Sequence, residues 1–121
     1  MKVLLLNGSP HPKGCTYTAL NEVADTLNAD GIETEIVWLG NDTAAGCTSC
    51  MSCRKTGQCI KDDIVNKIRP SFEAADGLII GSPVHFAGAS GTAVSVMGRL
   101  FFSSGTDHRM QVGAAVVSCR R

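Results

Sequence analysis

Four segments of the chain have the apolar character of β-strands. They are residues 2–6, 32–39, 77–81 and 112–117, and the first, third and fourth are apolar almost throughout. Such runs are typical of strands that are buried on both faces, as in a parallel sheet covered by helices. The pattern therefore predicts four parallel strands.

The segments between these strands predict helices, because their apolar residues recur every three or four positions. The first helix is expected from Thr16 to just before Gly31, and the third covers residues 92–102. The acidic residues 62–63 are candidate N-caps of the second helix, which Pro70 is expected to kink or shorten. Alternating strands and helices predict an α/β fold with a doubly wound parallel sheet.

Length and charge narrow the function classes. The chain has 121 residues and a formal net charge of zero, which predicts a single domain and argues against a nucleic-acid partner. No apolar run approaches the roughly 18 residues of a membrane span, so we expect no membrane partner. The opening apolar run is too short for a secretory signal, which favours a cytoplasmic location.

The segment after the first strand, residues 8–18, is a candidate phosphate site. In open α/β sheets, ligands bind beyond the carboxyl ends of the strands, where a helix N-terminus offers free N–H groups to an anion. The segment is neither a P-loop, since Lys13 stands where that motif needs glycine, nor a G-x-G-x-x-G motif, since Pro10 replaces the second glycine. An ordinary polar turn is the alternative. The hydroxyl groups that this segment offers are those of Ser9, Thr16, Tyr17 and Thr18.

The segment after the third strand, residues 82–91, ends at the same edge of the predicted sheet. Flavodoxin-type sheets place their first and third strands side by side and bind FMN there. Residues 83–86 are therefore expected to line a planar ring. The alternative is that Phe86 is a core residue and His85 faces solvent. The candidate ring contacts are Pro83, Val84, His85 and Phe86.

Residues 41–61 lack helical or strand periodicity and carry four of the six cysteines. Two consecutive x2 spacings followed by a nearby fourth cysteine suit a [4Fe–4S] cluster, whereas structural zinc sites more often use two separated knuckles. Zinc, or free thiols that bind nothing, remain alternatives. We expect Cys15 and Cys119, which lie outside this loop, to be small buried residues. The candidate metal ligands are Cys47, Cys50, Cys53 and Cys59.

These features together resemble the NADPH-dependent FMN reductase superfamily of flavodoxin-like proteins, and within it the iron–sulfur flavoproteins. The resemblance is carried by residues 7–16, 47–63 and 81–86, and it extends over nearly the whole chain. It implies a flavodoxin-like sheet with strand order 2-1-3-4. Such sheets have a fifth strand and a closing helix, which this chain lacks, so we expect residues 1–121 to form one C-terminally truncated domain with an exposed sheet edge and an incomplete flavin pocket.

The resemblance also implies cofactors and partners. It implies a [4Fe–4S] cluster on the four loop cysteines, and a homodimer or homotetramer in which the cluster approaches a neighbouring flavin. The electron partners it implies are NAD(P)H, ferredoxin and quinones. The residues that would bind FMN are Ser9, Pro10, Lys13, Cys15, Thr16, Tyr17, Thr18, Pro83, Val84, His85, Phe86, Ser118 and Arg120, with Arg121 in the same matching segment.

Some positions depart from the family pattern. Relatives often have Asn where this chain has Cys15 and Tyr where it has His85. The helix after residue 91 commonly carries a Lys and an Asp-Arg pair, whereas this chain has Val94, Gly98 and Arg99. Arg99 is therefore expected to lack its neighbouring carboxylate.

The leading hypothesis is an FMN-binding redox protein that transfers electrons through FMN and a [4Fe–4S] cluster, with no protein acid or base in the chemistry. The first alternative is an NAD(P)H-dependent FMN or quinone reductase whose cysteine loop holds no cluster. The second alternative is a non-catalytic thiol or metal sensor that binds a partner through the cysteine loop.

Overall fold

A computed structural model of the chain describes residues 1–42 and 44–120. Strands and helices alternate in it, as the apolar pattern predicts. The elements are β1 (Lys2–Asn7), α1 (Cys15–Ala29), β2 (Glu33–Trp38), α2 (Cys53–Thr56), α3 (Ile64–Glu73), β3 (Gly77–His85), β4 (Gly88–Ala89), α4 (Gly91–Ser103) and β5 (Val112–Ser118).

The sheet has β1 and β3 at its centre. Strand β1 pairs in parallel with β2 and β3, and β3 pairs in parallel with β5. The four parallel strands thus lie in the order 2-1-3-5 in this numbering, which confirms the predicted flavodoxin-like order. The two-residue β4 pairs antiparallel with the end of β3. The prediction of a loop from residue 82 to residue 91 was wrong, because β3 continues to His85 and turns back as a hairpin.

The core lies on both faces of the sheet, because successive side chains of a strand point to opposite faces. On one face, Leu4 and Leu6 of β1 pack in the same cluster as Phe72 of α3. On the other face, Leu5 packs with Leu20 of α1. All five side chains are fully buried. This two-sided burial explains why β1 is apolar without alternation.

The helix starts agree in part with the sequence. Asp63 is the N-cap of α3, and its side chain accepts a hydrogen bond from the backbone N–H of Val65 at 3.0 Å. Pro70 lies inside α3, which continues to Glu73 rather than ending at the proline. The cysteine segment is not entirely loop, since α2 forms one helical turn starting at Cys53. None of the helices in residues 1–42 and 44–120 is long and apolar enough to cross a membrane.

Strand β5 is the most exposed of the four parallel strands. Val112 and Val117 are 66% and 63% exposed, although the strand is apolar. Only Val116 packs partly against the cluster under α1. Among the described residues β5 pairs with β3 alone, so its other edge is open.

Candidate functional site

Three segments that are distant in sequence meet at the carboxyl end of the sheet. The backbone N–H of Gly8, just after β1, donates to the carbonyl of Gly81 in β3 at 2.8 Å. The hydroxyls of Thr16 in α1 and Ser118 at the end of β5 lie 2.8 Å apart. Pro83 is the register partner of Ser118. The structure therefore brings together the first loop, the third-strand segment and Ser118, all of which the sequence predicted as flavin contacts.

Side chains fix the shape of the loop after β1. The buried Asn7 accepts a hydrogen bond from the N–H of Ser9 and donates to the carbonyl of Pro12. The Ser9 hydroxyl accepts from the N–H of His11, and the indole N–H of Trp38 donates to the Ser9 carbonyl at 2.9 Å. Trp38 was not among the predicted site residues, because nothing in the sequence indicates that a residue at the end of β2 reaches this loop.

The start of α1 suits an anion. Its N-cap, Gly14, has no side chain, and no side chain among residues 1–42 and 44–120 caps the helix, so its first N–H groups are free to bind a ligand. Gly8 allows the backbone to pass close to α4, since a Cβ there would lie 2.8 Å from the Cβ of Ala93. Ser90, the N-cap of α4, donates to the Gly8 carbonyl at 2.7 Å. Backbone of this kind fits a phosphate group.

The predicted residues of this loop differ in exposure. Ser9 and Thr16 are buried, Tyr17 is half-buried, and Thr18 is exposed and donates to the Gly14 carbonyl. Three further predicted residues of the loop, Pro10, Lys13 and Cys15, are exposed, and so is Arg120 after β5. Arg121 lies outside the described residues.

Cys15 and Cys119 were expected to be buried, and that prediction was wrong. Both thiols are exposed. Cys15 is the first residue of α1, and Cys119 follows β5 at the open edge of the sheet. Neither position lies under another element, because helix starts and strand ends at the carboxyl edge of the sheet face the region where a ligand would bind.

The predicted ring contacts form the tip of the β3–β4 hairpin. Pro83 is half-buried, whereas Val84 and His85 are exposed. Phe86 is fully exposed and has a positive φ of 47°, and Ala87 follows with a φ of 63°. Phe86 is therefore not a core residue, and its aromatic ring is exposed at the tip of the hairpin.

A cavity lies next to the cysteine segment. All four predicted ligands line it, together with Arg99 and Ser103 of α4. Within residues 1–42 and 44–120, no three Cys, His, Asp or Glu side chains converge closely enough to hold a metal ion in this arrangement. The four predicted ligands are Cys47, Cys50, Cys53 and Cys59.

Hydrogen bonds from the loop's own backbone reach these sulfur atoms. The N–H of Ser49 lies 3.4 Å from the sulfur of Cys47. The backbone N–H of Ser52, followed by its hydroxyl, holds the pKa of the Cys50 thiol below its usual value. The loop thus offers donors to sulfur, and a thiol-rich cavity of this kind fits a metal or an iron–sulfur cluster in the chemistry of its ligands.

Arg99 of α4 also lines this cavity, and it has a carboxylate partner that the departure from the family pattern did not predict. Its guanidinium is 1% exposed and donates to both oxygens of Asp63, at 2.5 and 3.0 Å. The prediction that Arg99 lacks a carboxylate partner was wrong. The carboxylate is supplied by Asp63, the N-cap of α3, and not by the residue next to Arg99 on α4. Burial opposes ionisation of Asp63, but the bonds from Arg99 and Val65 outweigh it and lower the pKa of that carboxyl.

The same guanidinium contacts the fourth cysteine. Arg99 Nε and Nη2 lie 3.4 and 3.2 Å from the sulfur of Cys59. Asn66 of α3 accepts from the N–H of Cys59 and donates to its carbonyl. Sequence reasoning missed Asn66 and Ser103, since a single polar residue within a helix gives no signal of what it contacts.

The comparisons with known proteins agree with this geometry. The sequence profile of the NADPH-dependent FMN reductase family matches residues 1–121. The chain belongs to the NADPH-dependent FMN reductase family. The family resemblance that the three sequence segments carried is thereby confirmed.

Curated relatives of this family member are iron–sulfur flavoproteins. One from Methanocaldococcus jannaschii is 37% identical over 117 residues, which are 96% of this chain and 61% of the relative. Another, from Archaeoglobus fulgidus, is 31% identical over 99 residues, which are 82% of this chain and 48% of the relative. The chain thus spans about half to three-fifths of the length of these relatives.

Solved structures of the same fold are flavin proteins and reductases. RosB with bound 8-demethyl-8-formylriboflavin-5'-phosphate aligns with a TM-score of 0.74 at 15% identity, over 100% of this chain and 53% of that one. An NAD(P)H:quinone oxidoreductase from Methanothermobacter marburgensis aligns with a TM-score of 0.68 at 17% identity, over 98% of this chain and 64% of that one. At these identities the likeness establishes the fold.

Proposed function

We propose that the chain is an FMN-dependent oxidoreductase of the iron–sulfur flavoprotein type. It would move electrons between NAD(P)H or a reduced carrier such as ferredoxin and an acceptor such as a quinone. The observation that carries the proposal is the meeting of Thr16 and Ser118, 102 residues apart, beside the uncapped start of α1. When bound, FMN accepts two electrons and releases them singly, and a cluster carries one electron at a time.

The chain's own residues would hold FMN through its phosphate and its ring. The N–H groups at the start of α1 and the hydroxyls of Ser9, Thr16 and Ser118 are the phosphate donors, and a helix N-terminus adds a favourable partial positive charge. Residues 83–86 supply the ring contacts, with Phe86 as the free aromatic face. Lys13 and Arg120 are exposed cations at the rim.

The thiols of Cys47, Cys50, Cys53 and Cys59 would hold the [4Fe–4S] cluster. Their support is that all four line one cavity and that Cys59 is held at its sulfur and at its backbone by different helices. The names of the curated relatives agree with this assignment.

The FMN site is tested by titrating the purified chain with FMN. Thr16→Val removes a hydroxyl at constant shape, and a lost bond to a charged phosphate weakens binding by about tenfold or more. Thr26→Val is the matched control, because the Thr26 hydroxyl on the same helix is exposed and donates to the backbone carbonyl of Glu22. Equal FMN affinity in both variants, or no FMN binding by the wild type, would contradict the proposal.

The cluster is tested by iron and acid-labile sulfide analysis of anaerobically purified protein. We expect both in the wild type and a loss of both in Cys50→Ser, since serine is a poor ligand for iron–sulfur clusters. Cys119→Ser, which changes a thiol outside the cavity, should retain them. A wild type free of iron and sulfide would rule the cluster out.

The runner-up is an NAD(P)H-dependent FMN or quinone reductase whose cysteine loop is vacant or filled by zinc. It is favoured by the absence of converging ligands within the described residues. Rapid NAD(P)H oxidation with quinone that Cys50→Ser leaves unchanged would select it. A chain that binds a metal or a protein partner but no FMN would instead be the non-catalytic sensor.

We propose a homodimer or homotetramer in the cytoplasm as the working assembly. The support is the resemblance to the iron–sulfur flavoproteins, together with two exposed apolar residues, Phe86 at the tip of the β3–β4 hairpin and Val117 on the edge strand β5. Sedimentation of the purified chain at several concentrations measures the assembly directly, and a monomer at all of them would contradict it.

A further inference from the structure

Helix α4 presents two polar side chains to the cysteine cavity. Arg99 and Ser103 are four residues apart, so they lie on the same face of the helix, and both line the cavity that the four cysteines share. Arg99 is 1% exposed and Ser103 is 6% exposed. Deeply buried polar side chains of this kind ordinarily have hydrogen-bond partners.

The two residues differ in whether a protein partner is present. The guanidinium of Arg99 is fixed by Asp63, by the carbonyls of Ala45 and Lys61, and by the sulfur of Cys59. The Ser103 hydroxyl, in contrast, is buried without any hydrogen-bond partner in the described part of the chain. A buried hydroxyl that donates to nothing is destabilising, because it has lost its bonds to water.

We propose that Arg99 and Ser103 are positioning residues that donate hydrogen bonds to sulfur atoms of the bound cluster and its ligands. This inference rests on the cluster proposed above. Arg99 would donate to the sulfur of Cys59, which it already contacts. Ser103 would donate to the sulfur atoms nearest the end of α4. Donors to sulfur stabilise the more negative reduced state, so both residues would raise the reduction potential.

The first test is Ser103→Ala, measured in two states of the full chain. In the metal-free protein, removal of a partnerless buried hydroxyl should leave the urea midpoint unchanged or raise it. In the loaded protein, iron and sulfide contents should be unchanged while the reduction potential shifts downward. A purely structural role would lower the urea midpoint and leave the potential unchanged.

The matched control is Ser104→Ala. Ser104 is the next residue, it does not line the cysteine cavity, and its hydroxyl donates to Glu73 at 3.1 Å. Its loss should lower the urea midpoint slightly and leave the potential unaltered. Equal potentials in wild type and Ser103→Ala would overturn the assignment of Ser103.

The second test is Arg99→Lys, which keeps the charge next to Asp63 but removes the planar fork that reaches Cys59 at the same time. Loss of a group that orients a metal ligand typically weakens metal binding by about 10-fold or more. We therefore expect about tenfold weaker binding of Co²⁺ to the metal-free protein, read from the thiolate-to-cobalt absorption band, and a lower potential of the loaded protein. Arg69→Lys, which changes an ion pair with Glu73 on α3, is the control.

The outcomes separate the two proposals. A wild type free of iron and acid-labile sulfide overturns the proposed cluster, and this inference with it. A wild type that holds a cluster, together with variants of Arg99 and Ser103 whose potential and Co²⁺ affinity match it, overturns this inference alone.

Discussion

Asp63 serves two elements through one carboxylate. It caps α3 by accepting from Val65, and it neutralises the buried Arg99 of α4. A buried guanidinium without a carboxylate would be strongly unfavourable, so the residue that starts one helix also permits a charge inside another. The sequence showed the cap, since Asp before an apolar run is a common N-cap. It did not show the ion pair, because residues 63 and 99 become neighbours only when α3 packs on α4.

The pH dependence of stability follows from this ion pair. The pKa of Asp63 is lowered in the folded protein, so its contribution is complete above the carboxyl's ordinary pKa of about 4 and is lost as pH falls through the lower folded value. We expect the free energy of unfolding to decrease below about pH 4. Asp63→Asn should reduce that slope while retaining the cap.

Urea denaturation between about pH 3 and pH 7 measures the slope. Glu35 and Glu73 also have lowered pKa values, because of Lys2 and of Arg69 respectively, so part of the slope should remain in Asp63→Asn. An unchanged slope would show that the Asp63–Arg99 pair contributes nothing to acid sensitivity.

Two glycines should respond in opposite ways to alanine. A Cβ at Gly81 would lie 2.6 Å from the Cδ1 of the buried Leu20 and 2.9 Å from the Cγ2 of Thr16, so Gly81→Ala should destabilise the fold by about 1–3 kcal/mol. A Cβ at Gly98 in α4 would meet nothing within 4 Å, so Gly98→Ala should stabilise it by about 0.5–1 kcal/mol. The urea midpoints of both variants measure these changes in stability. A lower midpoint in Gly98→Ala would contradict the prediction.

At the scale of elements, the β3–β4 hairpin has an unfavourable turn. His85 pairs with Gly88, which leaves Phe86 and Ala87 as a two-residue loop, and both have positive φ. Asn and Gly suit such type I′ turns, whereas residues with a Cβ, other than Asn and Asp, are costly there. The local sequence therefore carries no hairpin signal, and for that reason the sequence predicted a loop over these residues.

Phe86→Asn tests whether the aromatic ring of Phe86 contributes to FMN binding at a cost in stability. We expect the variant to unfold at higher urea concentration, with a gain of up to about 1 kcal/mol, because Asn tolerates the left-handed conformation. It should bind FMN more weakly than the wild type, since it lacks the ring contact. Ala87→Gly is the control, expected to stabilise the turn with FMN affinity retained. Unchanged FMN affinity in Phe86→Asn would remove Phe86 from the proposed site.

At the scale of the whole molecule, β5 exposes an apolar surface and an edge that pairs with no other strand of the described residues. Exposed apolar edge strands pair readily with other chains. We expect the 121-residue chain to self-associate, and Val117→Lys to reduce that association without lowering the urea midpoint, because Val117 is 63% exposed. Val94→Lys, at a 58% exposed position on α4, is the control. Equal association of both variants in sedimentation would show that β5 is not the contact.

The sequence by itself determined the architecture and the family. Continuous apolar runs and helical periodicity are local properties, and they were sufficient for the four parallel strands, the three longer helices and the place of the first loop at the carboxyl edge. Three motif segments were sufficient for the NADPH-dependent FMN reductase family. The thiols of the cysteine loop also stood out, because their spacing is short and regular.

Only the tertiary structure decided which distant residues meet. The contacts of Thr16 with Ser118, of Arg99 with Cys59 and Asp63, and of Trp38 with Ser9 join different elements, so no local pattern encodes them. The turn at residues 86–87 and the single helical turn α2 depend on the same packing. The physical reason is that a hydrogen bond needs its two groups within about 3 Å. The regular geometry of a helix or turn brings chain neighbours that close. Distant residues are brought together only when the chain buries its apolar core.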